Sequence, residues 1–290
     1  MGYKCRYCCS QVQGNIVNII NNFVIVKCMN CGLIQTKIIR LNQKVNTSKY
    51  DDTYLANYDK YRIRVLNKDF ENKLHLIELI IKGGKLLDVG CSTGLFLKRV
   101  FDKAKYSWEM HGIDINKKSI FLATKFKHAT FRIGSLNNLK LKANYFDCIT
   151  CFDVLEHDFK LSSTLKVIHK ILKTDGILLI QVPNHDSLMR LLTRKRWDWW
   201  CVPDHLYHFS TNTLIKVLID NNFTPVKITS WEDRRDFIEN IRGSIRQVFP
   251  KVLYINKILA RAMYLPLLIL WVLNYFLGKF IYSGGLLVIL

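Results

Sequence analysis

The chain of 290 residues is long enough for one large domain and a small additional module. Hydrophobic residues make up 49% of it, which excludes an intrinsically disordered protein, because a chain this apolar can build a buried core. The net charge of +20 excludes a predominantly acidic surface. It indicates either a lysine-rich composition bias or an anionic partner: a membrane surface, a nucleic acid or a phosphorylated substrate.

The first 40 residues contain two cysteine pairs with the spacing of a metal site. The four cysteines are Cys5, Cys8, Cys28 and Cys31. The β-rich stretch NIVNIINNFVIVK between the pairs predicts a hairpin that joins them. Because four thiolates complete a tetrahedral shell and leave no open position, we expect a structural Zn²⁺ site in a zinc ribbon over residues 1–40. Cys9 follows Cys8 directly, and the sequence leaves open which of these two thiols is the ligand.

The beginning of the chain and its cysteine usage favour the cytosol. The segment MGYKCRYCC lacks the long apolar run of a secretory signal. In a reducing compartment, paired cysteines indicate metal binding more than disulfides. We therefore expect a cytoplasmic protein in which the two CxxC pairs hold a metal.

Residues 41–70 are polar and rich in tyrosine, which predicts a linker or cap, and beyond them helices and strands alternate. The predicted helices are 70–82, 94–104, 117–127, 161–173 and 211–222. The predicted strands are 85–89, 109–114, 130–133, 147–152, 177–182 and 225–231. This alternation is typical of a parallel sheet with helices on both faces, so residues 71–231 are expected to form one α/β core.

The segment LLDVGCSTGLFL, residues 86–97, is the strongest signal for a ligand site. An apolar strand runs into a glycine loop that opens a helix. There Gly90 and Gly94 allow close approach of a ligand, and the helix start offers free N–H groups. A dinucleotide site would instead have the pattern GxGxxG. Asp88 at the strand end suits a cationic amine better than a pyrophosphate, and Asp114, which ends the next strand, can accept hydrogen bonds from two ribose hydroxyls.

Four segments together resemble the class I S-adenosylmethionine-dependent methyltransferases: DVGCSTG, GIDIN, YFDCITCFDVLEH and LKTDGILLIQVPN. The resemblance covers about residues 70–231 and the last strand. It implies an α/β fold with a Rossmann-like sheet of seven strands, the last one antiparallel, and S-adenosyl-L-methionine as cofactor. The residues that the resemblance assigns to the cofactor are Asp88, Gly90, Cys91, Ser92, Gly94, Asp114, Ile115, Ser135, Leu136, Phe152 and Asp153.

Within this set, the resemblance implies that Asp88 and the glycine loop face the methionine part of the cofactor and that Asp114 faces the ribose. Ser92 stands where a middle glycine is common, and it is small enough to replace one. Ser135 stands where an acid near the adenine is common, and its hydroxyl can still form a hydrogen bond.

Candidates for the chemistry follow the fourth and fifth core strands. Methyl transfer to a hydroxyl needs a group that removes the proton of the acceptor. The candidate catalytic residues are His157, Asp204, His205 and His208. His157 is the first choice because imidazole titrates near neutral pH, but it could equally be a structural histidine oriented by Glu156. His205 and His208 could equally hold their loop by hydrogen bonds. Because doubly wound sheets bind ligands at the carboxyl ends of their strands, we expect both clusters to face one cleft.

The segment RKRWDWWCVPDHLYHFS, residues 194–210, is the expected acceptor loop. Its three tryptophans suit the apolar face of a sugar, or else anchor the loop to the core or to lipid. Its three cations suit a phosphate, or else are simply solvated. These residues are Trp197, Trp199, Trp200, Arg194, Lys195 and Arg196.

The C-terminal part is first basic and then apolar. Residues 232–263 interleave apolar and basic positions as a basic amphipathic helix does, and residues 262–278 reach the lower edge of the length that spans a bilayer. The zinc ribbon, the core and the W…PxH..HFS pattern together resemble a bacterial and archaeal group linked to surface glycans, in which an apolar insert precedes the final strand. We therefore expect a buried or interfacial helical insert over 232–282 and a final core strand over 283–290.

The sequence thus predicts a methyltransferase that O-methylates a sugar or glycan precursor, lipid-linked or nucleotide-linked, at the membrane surface. Its expected partners are this glycan acceptor and an anionic membrane surface, so we expect it to be peripheral on the inner membrane face. An RNA 2′-O-methyltransferase is the alternative, because the acid–histidine cluster that begins at Asp153 resembles the metal motif of small-RNA 2′-O-methyltransferases. Nucleic acid is the less expected partner. A non-catalytic, membrane-associated binding module is the second alternative.

Overall fold

The computed structural model describes most of the chain, which divides into two compact units. The described residues are 2–38, 60–231, 237–238, 241, 266, 269, 272 and 284–290. The first unit consists of Met1–Gln43, Val182–Val217 and Ile228–Leu287. The second unit consists of Lys44–Gln181, Leu218–Lys227 and Val288–Leu290. The first unit therefore contains both the predicted zinc ribbon and the predicted acceptor loop.

The described residues form strands, α-helices and short 3₁₀ turns. The strands are β1 (Gly2–Lys4), β2 (Gln11–Ile20), β3 (Phe23–Cys28), β4 (Ile34–Ile38), β5 (Gly84–Val89), β6 (Trp108–Asp114), β7 (Ala129–Ile133), β8 (Phe146–Phe152), β9 (Leu172–Pro183), β10 (Tyr207–His208), β11 (Lys227–Trp231) and β12 (Gly285–Ile289). The helices are α1 (Lys60–Ile80), α2 (Leu95–Lys103), α3 (Lys117–Ala123), α4 (Leu161–Ile171), α5 (Leu188–Thr193) and α6 (Thr211–Ile219). The 3₁₀ turns are Leu155–His157, Arg194–Arg196 and Asp198–Trp200.

The first unit is built on a five-stranded sheet in the order β1-β2-β3-β4-β10. Strands β2 and β3 form a hairpin between the two cysteine pairs, with Gly14 opposite Cys28. Asn21 in its turn has a φ of +52°, a left-handed conformation in which asparagine is enriched. Strand β10 joins the same sheet by pairing Tyr207 with Gln35 of β4. The predicted acceptor loop is therefore tied to the ribbon by backbone pairing.

A hydrophobic core in this unit connects the hairpin with the tryptophan-rich segment. Its buried members are Ile25, Ile34, Met189, Trp197, Trp200, Phe237 and Ile238. Truncating a buried aromatic side chain to alanine typically costs about 3–5 kcal/mol, because transfer and cavity terms add. Trp197 and Trp200 are therefore major contributors to the stability of this unit.

The second sheet has seven strands in the order β11-β12-β9-β8-β5-β6-β7. The pairs β5–β6, β5–β8, β6–β7 and β8–β9 are parallel. Leu178 of β9 and Leu290, which follows β12, exchange both backbone N–H···O bonds at 3.0 Å, and this reciprocal pattern is antiparallel. The expected α/β fold, a mostly parallel seven-stranded sheet with an antiparallel last strand, is confirmed.

Two elements begin earlier than the sequence predicts. Helix α1 begins at Lys60, inside the predicted linker 41–70, whose residues 41–59 lie outside the described part. No glycine or proline interrupts the chain between Lys60 and the buried Leu74, so nothing ends the helix there. Strand β9 begins at Leu172 rather than at residue 177, because an irregular pairing with β8 accommodates the extra residues.

The predicted helical insert over 232–282 lies largely outside the described residues. Its described residues, which are helical, are 237–238, 241, 266, 269 and 272. In the described part of the chain, no helix is long and apolar enough to cross a membrane. The relation of the apolar stretch 262–278 to a bilayer stays a prediction.

Candidate active site and cysteine cluster

The loop between β5 and α2 has a backbone that glycine adopts most easily. Gly90, Ser92 and Gly94 have φ values of +74°, +47° and +76°. A Cβ at Gly90 would lie 2.3 Å from Cγ2 of Val154, and one at Gly94 would lie 2.8 Å from the ring of Phe131. Both positions therefore favour glycine. The N–H groups of Gly90 and Gly94 donate to the carbonyls of Ile113 and Cys91, so the loop has a fixed shape at the start of α2.

Asp114 ties this loop to the end of β6. Its Oδ2 accepts the backbone N–H of Ser92 at 2.8 Å, and its Oδ1 accepts that of Asn116 at 2.7 Å. Each carboxylate oxygen can accept more than one hydrogen bond, so both can still receive a hydroxyl group. The next residue, Ile115, is 73% exposed and offers an apolar face at the same edge of the sheet. These two positions suit the ribose and the adenine that the resemblance implies.

Asp88 at the end of β5 is a buried acid. It is 3% exposed, and its Oδ1 accepts the hydroxyl of Thr150 on β8 at 2.7 Å. Burial raises the pKa of Asp88 to about 7, against the effect of the Thr150 hydrogen bond. A carboxyl with this pKa can become charged when a cationic amine binds beside it, because the ammonium group favours the ionised form.

The other predicted cofactor residues lie in the loop, follow β7, or lie at the end of β8 and directly after it. Cys91 and Leu136 are buried, Ser135 and Phe152 are half-buried, and Asp153 is exposed. Asp153 has a φ of +54°, and its carboxylate accepts the amide group of Gln181 at 3.0 and 3.2 Å. A non-glycine residue in this conformation is uncommon and is often seen at ligand sites.

Glu156 and His157 form part of the 3₁₀ turn after β8. Glu156 is 1% exposed, and neither of its carboxyl oxygens has a hydrogen-bond partner among the described residues. Its Oε1 lies 3.9 Å from Nε2 of the half-buried His157. Burial, and then the charge of Asp153, raise the pKa of Glu156 well above its usual value.

In the first unit, Thr36 of β4 holds both His205 and His208. Its hydroxyl donates to the carbonyl of His205 at 2.7 Å, and its Oγ1 lies 2.9 Å from Nε2 of His208. Because a hydroxyl has one proton, Nε2 of His208 has to be the donor in the second bond. Burial also lowers the pKa of His208 well below 6.5. These contacts disfavour the prediction that His208 is a base. They support the alternative that His208 holds its loop by hydrogen bonds.

His205 differs from His208 in its ring nitrogens. Its Nδ1 lies 2.9 Å from the carbonyl oxygen of Trp199, so Nδ1 carries the proton and Nε2 is the nitrogen able to accept one. Asp204 beside it is half-buried. His157 belongs to the second unit and His205 to the first, and the expectation that both face one cleft stays a prediction.

Two of the three tryptophans of the predicted acceptor loop are core residues. Trp197 and Trp200 are 3% and 4% exposed, and Nε1–H of Trp200 donates to the carbonyl of Arg194 at 3.1 Å. Trp199 is half-buried. The anchoring alternative therefore applies to Trp197 and Trp200, while Trp199 remains the candidate for contact with a substrate.

The four predicted metal ligands form one cluster. Their Sγ atoms all lie within 4.8 Å of one another. The distance is 3.8 Å between Cys5 and Cys31 and 3.7 Å between Cys8 and Cys28. Tetrahedral zinc with Zn–S bonds of about 2.3 Å separates its sulfurs by about 3.8 Å, so the four thiols suit this ion. Cys9 is exposed and its Sγ lies 4.0 Å from the carbonyl of Tyr7, which favours Cys8 as the ligand.

Two amide side chains that the sequence did not single out contact this cluster. Nε2 of Gln35 donates to Sγ of Cys5 at 2.7 Å, and Nδ2 of Asn30 donates to Sγ of Cys8 at 3.6 Å. Donors of this kind orient metal ligands and stabilise thiolates. The only sequence signal for Gln35 was a polar residue inside a strand, and its burial depends on the sheet.

A family model described as a methyltransferase domain matches residues 58–228, which is more than half of the chain. The chain belongs to this methyltransferase family. It is an enzyme of the S-adenosylmethionine-dependent type, with the glycine loop and the seven-stranded sheet described above.

Three proteins illustrate what this methyltransferase is similar to. The ubiquinone biosynthesis O-methyltransferase of Pelagibacter ubique is 32% identical over 207 residues, covering 63% of this chain and 83% of that protein. An uncharacterised protein of Methanocaldococcus jannaschii is 34% identical over 129 residues, covering 44% of this chain and only 50% of that protein. The structure of a SAM-dependent methyltransferase from Archaeoglobus fulgidus superposes with a TM-score of 0.54 at 18% identity, covering 82% of this chain and 99% of that one. The last likeness shows the fold.

One buried ion pair of the methyltransferase was missed in the sequence. Lys73 of α1 is 2% exposed. Its Nζ lies 2.5 Å from Oδ2 of Asp69 and 4.2 Å from the ring centroid of Phe152. Burial raises the pKa of Asp88, and the charge of Lys73 is among the effects that oppose this rise. An aspartate and a lysine four residues apart usually form an exposed surface pair, so the sequence did not mark them. Lys73 and Asp69 belong to the candidate site.

Proposed function

We propose that this methyltransferase transfers a methyl group to a hydroxyl of a sugar or glycan precursor, lipid-linked or nucleotide-linked. The observation that carries the proposal is the placement of Asp88 and Asp114 at the ends of the two strands beside the glycine loop. An oxygen acceptor is supported by the likeness to a ubiquinone biosynthesis O-methyltransferase. A sugar is supported by the half-buried Trp199, since indole rings stack on apolar sugar faces.

The residues around the loop suit S-adenosyl-L-methionine. When bound, it supplies an electrophilic methyl group on a sulfonium. Asp88 would balance the charge of the amine, Asp114 would accept the ribose hydroxyls, and Ile115 would cover one face of the adenine. Glycine at positions 90 and 94 allows the positive φ values of this loop and its close packing, because a side chain at either position would collide with Val154 or Phe131.

His157 is the proposed general base. His157 would accept the proton of the acceptor hydroxyl as that oxygen takes the methyl group, and S-adenosylhomocysteine would leave. Oε1 of Glu156 lies 3.9 Å from Nε2 of His157, on which the proton would reside. A base of this kind contributes about 10²–10⁴-fold to the rate. His205, with Nε2 able to accept a proton, is the second candidate.

The cysteine cluster is proposed to hold a structural Zn²⁺. Cys5, Cys8, Cys28 and Cys31 provide four sulfurs at the separations that this ion requires. The ion would fix the two ends of the β2–β3 hairpin and, through the pairing of β4 with β10, the segment that carries His205. Its proposed role is therefore to hold the predicted acceptor loop in place.

An RNA 2′-O-methyltransferase is the second candidate, and one observation favours it. The buried carboxyl of Glu156 lacks a hydrogen-bond partner in the described part of the chain, and a divalent cation held with His157 would coordinate its oxygens. Transfer to RNA would then depend strictly on added metal.

The experiment offers radiolabelled cofactor, lipid-linked and nucleotide-linked glycans, and small RNAs to the zinc-containing protein, each with and without added Mg²⁺ or Mn²⁺. The expected result is label in a glycan, independent of the added metal. Label only in RNA, and only with the added metal, would replace the glycan proposal by the second candidate. If S-adenosylhomocysteine does not bind even at millimolar concentration in calorimetry, both enzymatic proposals fail and a non-catalytic binding module remains.

A further inference from the structure

The first unit carries a surface on which exposed leucines adjoin exposed cations. Leu191 and Leu192 of α5 are 47% and 51% exposed, and the 3₁₀ turn that follows displays three exposed basic residues. We call this surface the Leu–Arg patch. It consists of Leu191, Leu192, Arg194, Lys195 and Arg196.

The leucines of the patch lie on the side of α5 that faces away from the core. Met189 and Thr193 of the same helix are buried, at 0% and 7% exposure, so the helix is anchored through its other side. Serine, lysine or glutamate would ordinarily occupy the outer side of such a helix. Two adjacent, half-exposed leucines instead leave apolar area that the described part of this unit does not cover.

The backbone of the cationic turn is held by buried side chains. The carbonyl of Arg194 accepts Nε1–H of Trp200 at 3.1 Å, and the carbonyl of Lys195 accepts the amide of Asn18 at 3.4 Å. Trp200 and Asn18 are 4% and 3% exposed. Arg194 has a φ of +50°, a conformation that a non-glycine residue keeps only when its surroundings impose it. The main chain of the turn is thus fixed while its basic side chains are exposed, so the backbone needs no ordering when they bind.

We propose that the Leu–Arg patch docks the chain on an anionic bilayer surface. The leucines would enter the boundary between headgroups and acyl chains, and the three cations would lie among the lipid phosphates. A nucleic acid or an acidic protein would use the cations but leave the leucines without a partner. The net charge of +20 complements an anionic leaflet. This inference rests on the proposed function in one respect: the bilayer is where the enzyme would meet a lipid-linked acceptor. Docking itself is measured without methyl transfer.

The test is co-sedimentation of the full chain with vesicles of phosphatidylcholine alone or mixed with phosphatidylglycerol. Binding of S-adenosylhomocysteine to each variant confirms that it is folded. The variant Arg194→Gln/Lys195→Gln/Arg196→Gln is expected to lose about 100-fold in partitioning to anionic vesicles, since each cation near such a surface contributes about fivefold. A control variant with three exposed lysines of the second unit changed, Lys103→Gln/Lys105→Gln/Lys127→Gln, loses the same charge and should keep most of its binding.

The apolar half of the patch has its own matched pair of variants. Leu191→Ser/Leu192→Ser should lower partitioning at least about tenfold, because two apolar side chains no longer leave water. Phe121→Ser/Leu122→Ser removes a pair on α3 that is 69% and 38% exposed, and it should have little effect. A loss in the patch variants alone supports the proposal.

Four results would overturn the docking proposal. Two concern the unaltered chain: it does not bind vesicles, or it binds equally well to vesicles without phosphatidylglycerol. Two concern the variants: patch and control variants lose binding equally, or the patch variants bind as well as the unaltered chain. The last result would assign membrane binding to another segment, such as the apolar stretch 262–278. Patch-dependent binding to soluble RNA without vesicle binding would assign the surface to nucleic acid. None of these outcomes bears on whether the enzyme methylates a glycan.

Discussion

The hydroxyl of Thr150 donates to the buried carboxyl of Asp88, with 2.7 Å between the two oxygen atoms. The residues are register partners on the neighbouring parallel strands β5 and β8, so the sheet itself brings them together. The bond stabilises the ionised form of Asp88, yet burial still raises its pKa to about 7. The glycine loop, which is proposed to hold the cofactor, therefore follows an acid whose pKa is raised to about 7.

Cofactor binding should depend on pH through this acid. The affinity for S-adenosylhomocysteine is expected to rise as pH rises through about 7 and then to level off, because only ionised Asp88 attracts the ammonium group. Folding stability has the opposite trend: this contribution is complete below the ordinary pKa of 3.8 and is lost as pH rises through about 7. Titration calorimetry across this range measures the affinity. The Asp88→Asn variant should bind weakly at every pH, and a flat profile in the unaltered protein would refute the assignment.

Replacing Thr150 should move this transition. Thr150→Val removes the donor, so the pKa of Asp88 and the midpoint of the affinity profile should shift upward by about one pH unit, the equivalent of one net hydrogen bond. Thr150→Ser keeps the hydroxyl and serves as the matched control, with an unchanged midpoint. Equal midpoints in the valine and serine variants would show that the hydrogen bond does not set the titration.

Asp114 is expected to provide most of the affinity for the ribose. Asp114→Ala should weaken cofactor binding by about 10–100-fold, since each hydrogen bond to a charged group contributes about 1.5–3 kcal/mol and the N–H of Ser92 also loses its acceptor. Calorimetry with S-adenosylhomocysteine measures the loss. Glu109→Gln alters another acid of the same strand, which is exposed, and should leave the affinity unchanged. Similar affinities of both variants would contradict the role of Asp114.

The cysteine cluster should contain zinc in the purified protein. We expect one Zn²⁺ per chain by elemental analysis, lost in Cys5→Ser and in Cys28→Ser with a marked decrease in melting temperature, because a structural site stabilises the fold directly. Cys9→Ser is the control and should retain both metal and stability. Metal loss in Cys9→Ser but not in Cys8→Ser would exchange the assignment of these two ligands.

The histidines should separate into a catalytic and a structural class. His157→Ala is expected to lower kcat by about 10²–10⁴-fold while cofactor affinity and melting temperature stay close to normal. His208→Ala should instead destabilise the fold by about 1–3 kcal/mol, because Thr36 loses its buried partner, and the folded fraction should turn over normally. Turnover per folded molecule distinguishes the two effects. Normal turnover of His157→Ala and of His205→Ala would dismiss both proposed bases.

Local patterns in the chain were enough for the α/β architecture and the cofactor loop. The apolar strand before Asp88 and the glycines at positions 90 and 94 predict a strand, a tight turn and a helix, and the structure places β5, the loop and α2 there. Such features depend on residues within one short window, so periodicity and conformational preference reveal them. The cluster of four cysteines could also be predicted from the sequence, because the spacing of the two CxxC pairs alone indicates four thiols that bind one metal.

The tertiary structure decided which polar and aromatic residues are buried. The sequence could not tell Trp199 from Trp197, or His205 from His208, because their difference lies in contacts with β3 and β4, more than 150 residues away in the chain. It also could not reveal the buried pair of Lys73 and Asp69. The sequence by itself determined the fold class, the glycine loop and the thiol cluster, since these depend on residues that are near one another in the chain. Burial, tautomers and the pKa of Asp88 were decided only by tertiary structure, because they depend on long-range neighbours.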